Sequence, residues 1–179
     1  MAIELDQRLR DELFHLIEEL RTFQVKASWV KPENLHITLK FLGDVKEEKI
    51  EKIKKVLQDI ANSCATFKVK IKGTGTFPER RTPRVIWAGI EDSPELSSLQ
   101  ERIEKALSRL GFKQEERGFK GHITLARIKE PEGTQRLTDY LSRFREKEFG
   151  QMDVKEFVLM KSELRPDGAR YERLAIFSL

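Results

Sequence analysis

The stretch ENLHITLKFLG, Glu33 to Gly43, returns in shorter form as KGHITLARI, Lys120 to Ile128. Both contain His-Ile-Thr-Leu, beginning at His36 and at His122, 86 residues apart. The chain has three histidines, and two of them head the repeated tetrapeptide. The alternation is that of a strand and not of a helix. Leu35, Ile37, Leu39 and Phe41 share one face, and His36, Thr38 and Lys40 share the other.

Working outward from these strands, the apolar spacing predicts matching surroundings. Asp6 caps a helix running to about Thr22, with Leu9, Leu13, Leu16 and Leu20 on one stripe. A second helix spans about Lys46 to Asn62. TFKVKIKGTGTF (66–77) and RVIWAGI (84–90) read as strands. DSPELSSLQERIEKALSRLG opens on a cap, has proline in its first turn and stops at Gly111. Thr134 to about Phe144 looks helical. VKEFVLMKSEL and YERLAIFSL read as two strands joined by RPDGAR. Helices therefore begin near residues 6 and 93, then 46 and 134, at nearly the offset of the two histidines. The expected fold is α+β and bilobal: two similar lobes of antiparallel sheet plus helices, with pseudo-two-fold symmetry around a central cleft. Residues 1–179 form a single domain, with lobe halves near 1–90 and 91–179 that exchange strands.

Composition narrows the class. The chain has 179 residues, 36% charged and 39% hydrophobic, a net charge of +4 and a pI near 9.1. This is globular and mildly favours a polyanionic partner. One cysteine, Cys64, excludes an intramolecular disulfide and fits a reducing compartment. The apolar run VIWAGI is far too short to span a bilayer, so a cytoplasmic protein without membrane attachment is expected. High charge and two asparagines hint at a thermophilic source.

Each His-x-Thr strand presents an imidazole and a hydroxyl on one face, about 7 Å apart. Two such strands across a gap give one ring as general base, one as general acid, and two hydroxyl donors for an anion between them. A phosphodiester fits: in-line displacement needs a base on the attacking side, an acid on the leaving side and donors to the remaining oxygens. No metal or cofactor is called for. A zinc site would need further ligands, and neither a cysteine cluster nor a His-x-x-x-His spacing exists. His15, on a helix and without a matching partner, reads as an ordinary helix residue. Lys40 shares the face of His36 by even spacing and would add positive charge. Arg127 lies five positions after His122, so strict alternation sends it to the opposite face; a bulge would be needed to re-aim it. Arg80, Arg81 and Arg84 make a basic loop that reads either as an RNA contact or as a solvated surface. Trp29, Phe119 and Tyr171 offer stacking faces for bases, or core packing.

With HITL at 36–39 inside WVKPENLHITLKFLGDV and HITL at 122–125 inside FKGHITLARI, the sequence resembles the two-histidine phosphoesterase superfamily. Within it, the likeness is to the LigT-like RNA 2′,3′-cyclic phosphodiesterases, also called 2′-5′ RNA ligases. PRVIWAGI and LRPDGARYERL resemble further family segments, so the likeness covers nearly the whole chain. It implies a bilobal fold with the active site between the lobes, and hydrolysis of a 2′,3′-cyclic phosphate at an RNA 3′ end to a 2′-phosphate. It also implies that His36 is the proton donor and His122 the proton acceptor, that Thr38 and Thr124 bind the phosphate, and that a basic residue at Arg127 assists. Family members usually start with a longer strand of the type Arg-x-Phe-Ile-Ala-Ile. MAIEL keeps only its end, so either the first strand is short or the chosen start is late, which bears on an edge of one sheet and not on the motifs. The expected partner is RNA with a cyclic phosphate end, transfer RNA halves among the possibilities, and the expected state is a monomer. Two other functions are weighed. One is ligation by the same residues, in which a 5′-hydroxyl opens the cyclic phosphate; the other is a non-catalytic module that binds RNA ends or nucleotides, whose affinity would survive loss of both histidines.

Overall fold

A computed structural model describes the chain except Arg80, Arg81, Arg117, Pro131, Pro166 and Asp167, and the side chain of Leu164. The elements follow as β1 (Ala2–Glu4), α1 (Gln7–Arg21), β2 (Ala27–Trp29), β3 (His36–Thr38), α2 (Glu47–Ala61), β4 (Phe67–Phe77), β5 (Val85–Ile90), α3 (Pro94–Ser108), β6 (His122–Ile128), α4 (Gln135–Leu141), β7 (Glu148–Val154), β8 (Glu156–Arg165) and β9 (Gly168–Ser178). The helix starts are where the caps put them. Asp6 accepts from the Leu9 amide at 2.8 Å, and Ser93 accepts from the Leu96 amide at 3.2 Å, with Pro94 following it.

Among the described residues the strands form one antiparallel sheet in the order β7-β4-β5-β6-β3-β1-β8-β9, with β2 also paired to β6. The sheet curls, and the apolar stripes of all four helices join its inner residues in one core. Four strands of this order lie on each side of the β3–β6 boundary, where Ile37 pairs antiparallel with Ile123. Equivalent residues paired antiparallel are what a two-fold axis through that boundary would produce, so the arrangement is compatible with the expected symmetry. The chain also crosses that boundary. β4 and β5, from the first half of the sequence, lie on the β6 side, and β8 and β9, from the second, lie on the β3 side.

Three local readings change. The first strand is short, as MAIEL suggested, but it is interior to the sheet, paired with β3 on one side and β8 on the other. Strand β7 and the three-residue β2 were not anticipated. In β7 the buried residues are Phe149, Met152 and Val154, a spacing of three and then two. A register shift opposite Gly150, whose φ is +139°, breaks the alternation that marks a strand. Finally, the strand around His36 does not run on to Phe41. Pairing ends at Thr38, Phe41 is left 81% exposed, and Lys40 is drawn into the protein. Its ammonium lies 2.6 Å from the Glu104 carboxylate on α3 and donates to the Lys113 carbonyl at 2.8 Å. Lys40 is therefore not available beside His36, because a buried ammonium is tolerable only where its charge and donors are met.

The pair is secluded, with the Lys40 and Glu104 side chains 5% and 13% exposed. Removing one partner strands the other charge. Glu104→Ala should cost about 3 kcal/mol of stability, read as a lower urea midpoint. The double variant Lys40→Met/Glu104→Leu should recover most of that loss. Equal destabilisation in the two would show that the ion pair is not its cause.

Candidate active site

The Ile37–Ile123 pairing sets the geometry. With those two isoleucines opposite one another and fully buried, the antiparallel register places His36 across from Thr124 and Thr38 across from His122. All four side chains leave the face opposite the core. The two histidines sit on the diagonal of this arrangement, about 7–8 Å apart at the backbone. That is room for a tetrahedral phosphorus centre between the rings.

Both rings are held alike. Nδ1 of His36 lies 2.8 Å from the Asn34 carbonyl oxygen, and Nδ1 of His122 lies 2.7 Å from the Lys120 carbonyl oxygen, each two residues back along the chain. A carbonyl can only accept, so each Nδ1 carries its hydrogen. Nε2 is thereby the ring nitrogen left free to accept or deliver a proton in both rings. Each ring also has an aromatic edge-to-face neighbour, Tyr171 at 5.2 Å for His36 and Phe77 at 5.2 Å for His122. These contacts fix the ring planes.

Space beside His122 depends on Gly89 and Gly75. Gly89 pairs with His122 and Trp87 pairs with Thr124. A Cβ at Gly89 would come within 2.6 Å of the Lys72 carbonyl oxygen, and one at Gly75 would collide with the Trp87 ring. The indole lies where these two side chains are missing. This is the close packing for which glycine in a strand is retained.

Arg127 joins the same face. Trp87 pairs with Thr124 but Ile86 pairs with Ala126, so β6 carries one extra residue, Leu125. Leu125 and Ala126 are consecutive and both fully buried. Beyond this bulge the alternation is inverted, and Arg127 points to the side of the histidines with no salt bridge among the described residues. Its charge is one of those that act on His36.

The electrostatics of His36 follow from its surroundings. Burial is the largest influence and holds its pKa below the ordinary 6.5; the Asn34 hydrogen bond and Glu4 oppose the shift, and Arg127 adds to it. His36 is accordingly neutral at pH 7 in the free protein.

The remaining sequence candidates separate. Thr38 is exposed and Thr124 half-buried. Neither hydroxyl is taken by a protein group among the described residues. His15 is an exposed helix residue. Phe119 lines a cleft beside His122 and Tyr171 one beside His36, whereas Trp29 packs against the core. Arg84 is exposed and donates to the Lys129 carbonyl at 3.4 Å; Arg80 and Arg81 lie outside the described residues. Reading the sequence did not single out Phe77, Gly89, or the Asn34 and Lys120 carbonyls. Backbone acceptors leave no trace in residue identity. The signal that was present was the glycine inside VIWAGI, a mark of close approach. No group of three or more potential metal-ligating side chains occurs among the described residues, and no helix there is long and apolar enough to cross a membrane.

The sequence model of the 2′-5′ RNA ligase superfamily matches residues 9–166. A protein of Methanothermobacter thermautotrophicus named RNA 2′,3′-cyclic phosphodiesterase is 36% identical over 179 residues, covering 100% of this chain and 97% of its own. A protein of the same name from Archaeoglobus fulgidus is 36% identical, covering 99% and 97%. Among solved structures, one from Thermus thermophilus superposes with a TM-score of 0.86 at 32% identity, covering 99% and 95%. Escherichia coli LigT complexed with 3′-AMP gives 0.78 at 26%, again covering 99% and 95%. The thermophilic sources among these relatives agree with the composition. A chain matched over nearly its full length, with two His-x-Thr strands side by side in one sheet, belongs to the 2′-5′ RNA ligase superfamily of two-histidine phosphoesterases.

Proposed function

We propose that the protein hydrolyses 2′,3′-cyclic phosphate ends of RNA to 2′-phosphomonoesters without a metal. The observation that carries this is the pair of imidazoles, both with Nδ1 tied to a carbonyl and Nε2 left for substrate, on either side of two hydroxyls that no protein group takes among the described residues. The full-length relatives named RNA 2′,3′-cyclic phosphodiesterase support the choice of substrate.

In this reading Nε2 of His122 takes a proton from water as the water oxygen bonds to phosphorus. The bond from phosphorus to the 3′ oxygen breaks on the opposite side, and the leaving oxygen takes the proton from Nε2 of His36. The 2′ ester bond stays intact, so the product is a 2′-phosphate. Thr38 and Thr124 donate to the non-bridging oxygens, and Arg127 contributes positive charge where negative charge builds. Lys40 has no part, since its ammonium is bound to Glu104. Ligation is the same chemistry reversed, with a 5′-hydroxyl in place of water. Water is in vast excess, and the full-length relatives are named as phosphodiesterases, so hydrolysis is the net reaction. Transfer RNA halves are a natural substrate on this reading, and a monomer suffices because both histidines come from one chain.

His36 must carry a proton to act as acid. Burial opposes this in the free protein, whereas a phosphodiester anion beside the ring restores it. The sign of the pH dependence follows. Because kcat/KM reports the free enzyme, it should fall with rising pH from below pH 6.5, the ordinary histidine value, as His36 loses its proton. Because kcat reports the complex, its decline should come at higher pH. In His36→Ala the alkaline decline should vanish. The converse pattern in the two variants would exchange the roles.

The direct test is an RNA oligonucleotide ending in a 2′,3′-cyclic phosphate, incubated with the protein and EDTA and analysed for its end group. A 2′-phosphate is expected, with His36→Ala and His122→Ala each slower by about 10²–10⁴. RNA that is bound by a well-folded protein but not turned over would show a binding module instead.

A further inference from the structure

Two clefts flank the histidine pair, and they differ in kind. The cleft on the His36 side has a volume of about 560 Å³ and is lined by five arginine or lysine residues against two glutamates. The cleft on the His122 side, about 350 Å³, has three cations against three carboxylates, and contains Phe77, Trp87 and Phe119. The two sides of the histidine pair thus carry unlike charge.

The direction of the reaction gives this asymmetry a use. The phosphorus centre lies between attacking water and departing 3′ oxygen. Water is on the His122 side, so the ribose, which keeps the departing oxygen, is on the His36 side. Everything attached to that ribose follows it: the terminal base at one end, and the 5′-linked remainder of the RNA at the other. The base meets Tyr171, exposed on β9 and packed edge-on against His36. The chain meets the basic cleft. Within that cleft Arg173 is committed to Glu4 at 2.6 Å and Arg165 to Glu163 at 3.1 Å. Arg170 is exposed with no salt bridge among the described residues and lies one residue before Tyr171.

Resting on the phosphodiesterase reading, we infer that the His36-side cleft is a subsite for the RNA chain upstream of the cyclic end, in which Arg170 holds a backbone phosphate. The substrate is then an oligonucleotide end rather than a cyclic mononucleotide. Selection is by phosphate and not by base sequence, because the groups offered are cations.

The experiment compares cytidine 2′,3′-cyclic phosphate with a short oligonucleotide bearing the same 3′ end. The wild type should prefer the oligonucleotide by roughly tenfold in kcat/KM, on the strength of charge-assisted phosphate contacts. Arg170→Ala should bring the ratio of the two substrates towards one. It should also reduce the slope of log kcat/KM against log salt by about 0.7 for the one phosphate released. Arg170→Lys should recover part of the ratio. Arg136→Ala, an exposed change of equal charge on α4 that lines neither cleft, should leave the ratio intact. Equal use of both substrates by the wild type would overturn the inference. So would a preference that survives Arg170→Ala or that is lost instead with Lys120→Ala, in the other cleft. If the wild type turns over neither substrate, the phosphodiesterase reading itself falls, which is a separate result.

Discussion

The site depends on one contact, the pairing of Ile37 with Ile123 across the middle of the sheet. Side chains alternate along a strand, so this register decides which face each histidine takes and which threonine it meets. A slip of one residue in either strand would turn its histidine into the core and its isoleucine out to water. Burying both isoleucines completely is therefore what keeps two imidazoles and two hydroxyls on one surface. The energy that specifies the site comes from apolar burial on the opposite side of the same strands.

Around that contact the protein repeats a construction and then departs from it. Both histidines are anchored through Nδ1 to a carbonyl two residues back, and both carry an aromatic ring edge-on. Equivalent anchoring gives equivalent tautomers, which on its own would give two interchangeable groups. The surroundings separate them. His36 is buried deeply enough for its charged form to be disfavoured, and it opens onto a strongly basic cleft. His122 is bordered by glycine and aromatic residues. The difference between the two rings comes from the walls of the clefts, not from the motif.

The strand exchange between halves makes the site a property of the whole chain. With β5 paired to β6 and β8 paired to β1, neither half can move without dragging a strand of the other. Phe77 reaches His122 from β4, and Tyr171 reaches His36 from β9. Each imidazole is steadied by an element remote from it in sequence.

Much of this was legible before any coordinates. Two copies of His-Ile-Thr-Leu in a repeated helix–strand pattern disclosed the fold class, the paired imidazoles and the need for a bulge if Arg127 was to face them. Periodicity and caps are local, and local rules recover them. Lys40 was misplaced by the same rule that placed His36, because alternation holds only while the strand stays paired, and Glu104, 64 residues away, holds the ammonium inward just past the point where pairing ends. β7 escaped notice because the bulge at Gly150 erased its period. The sequence by itself determined the paired histidines, the threonines beside them and the lobed α+β plan, since each is written as a spacing of two or of three to four. Only the tertiary structure decided the register at Ile37–Ile123, the bulge that turns Arg127, the carbonyls that set the tautomers and the unlike charge of the two clefts. Those arise from residues far apart in the chain, whose meeting no local spacing encodes.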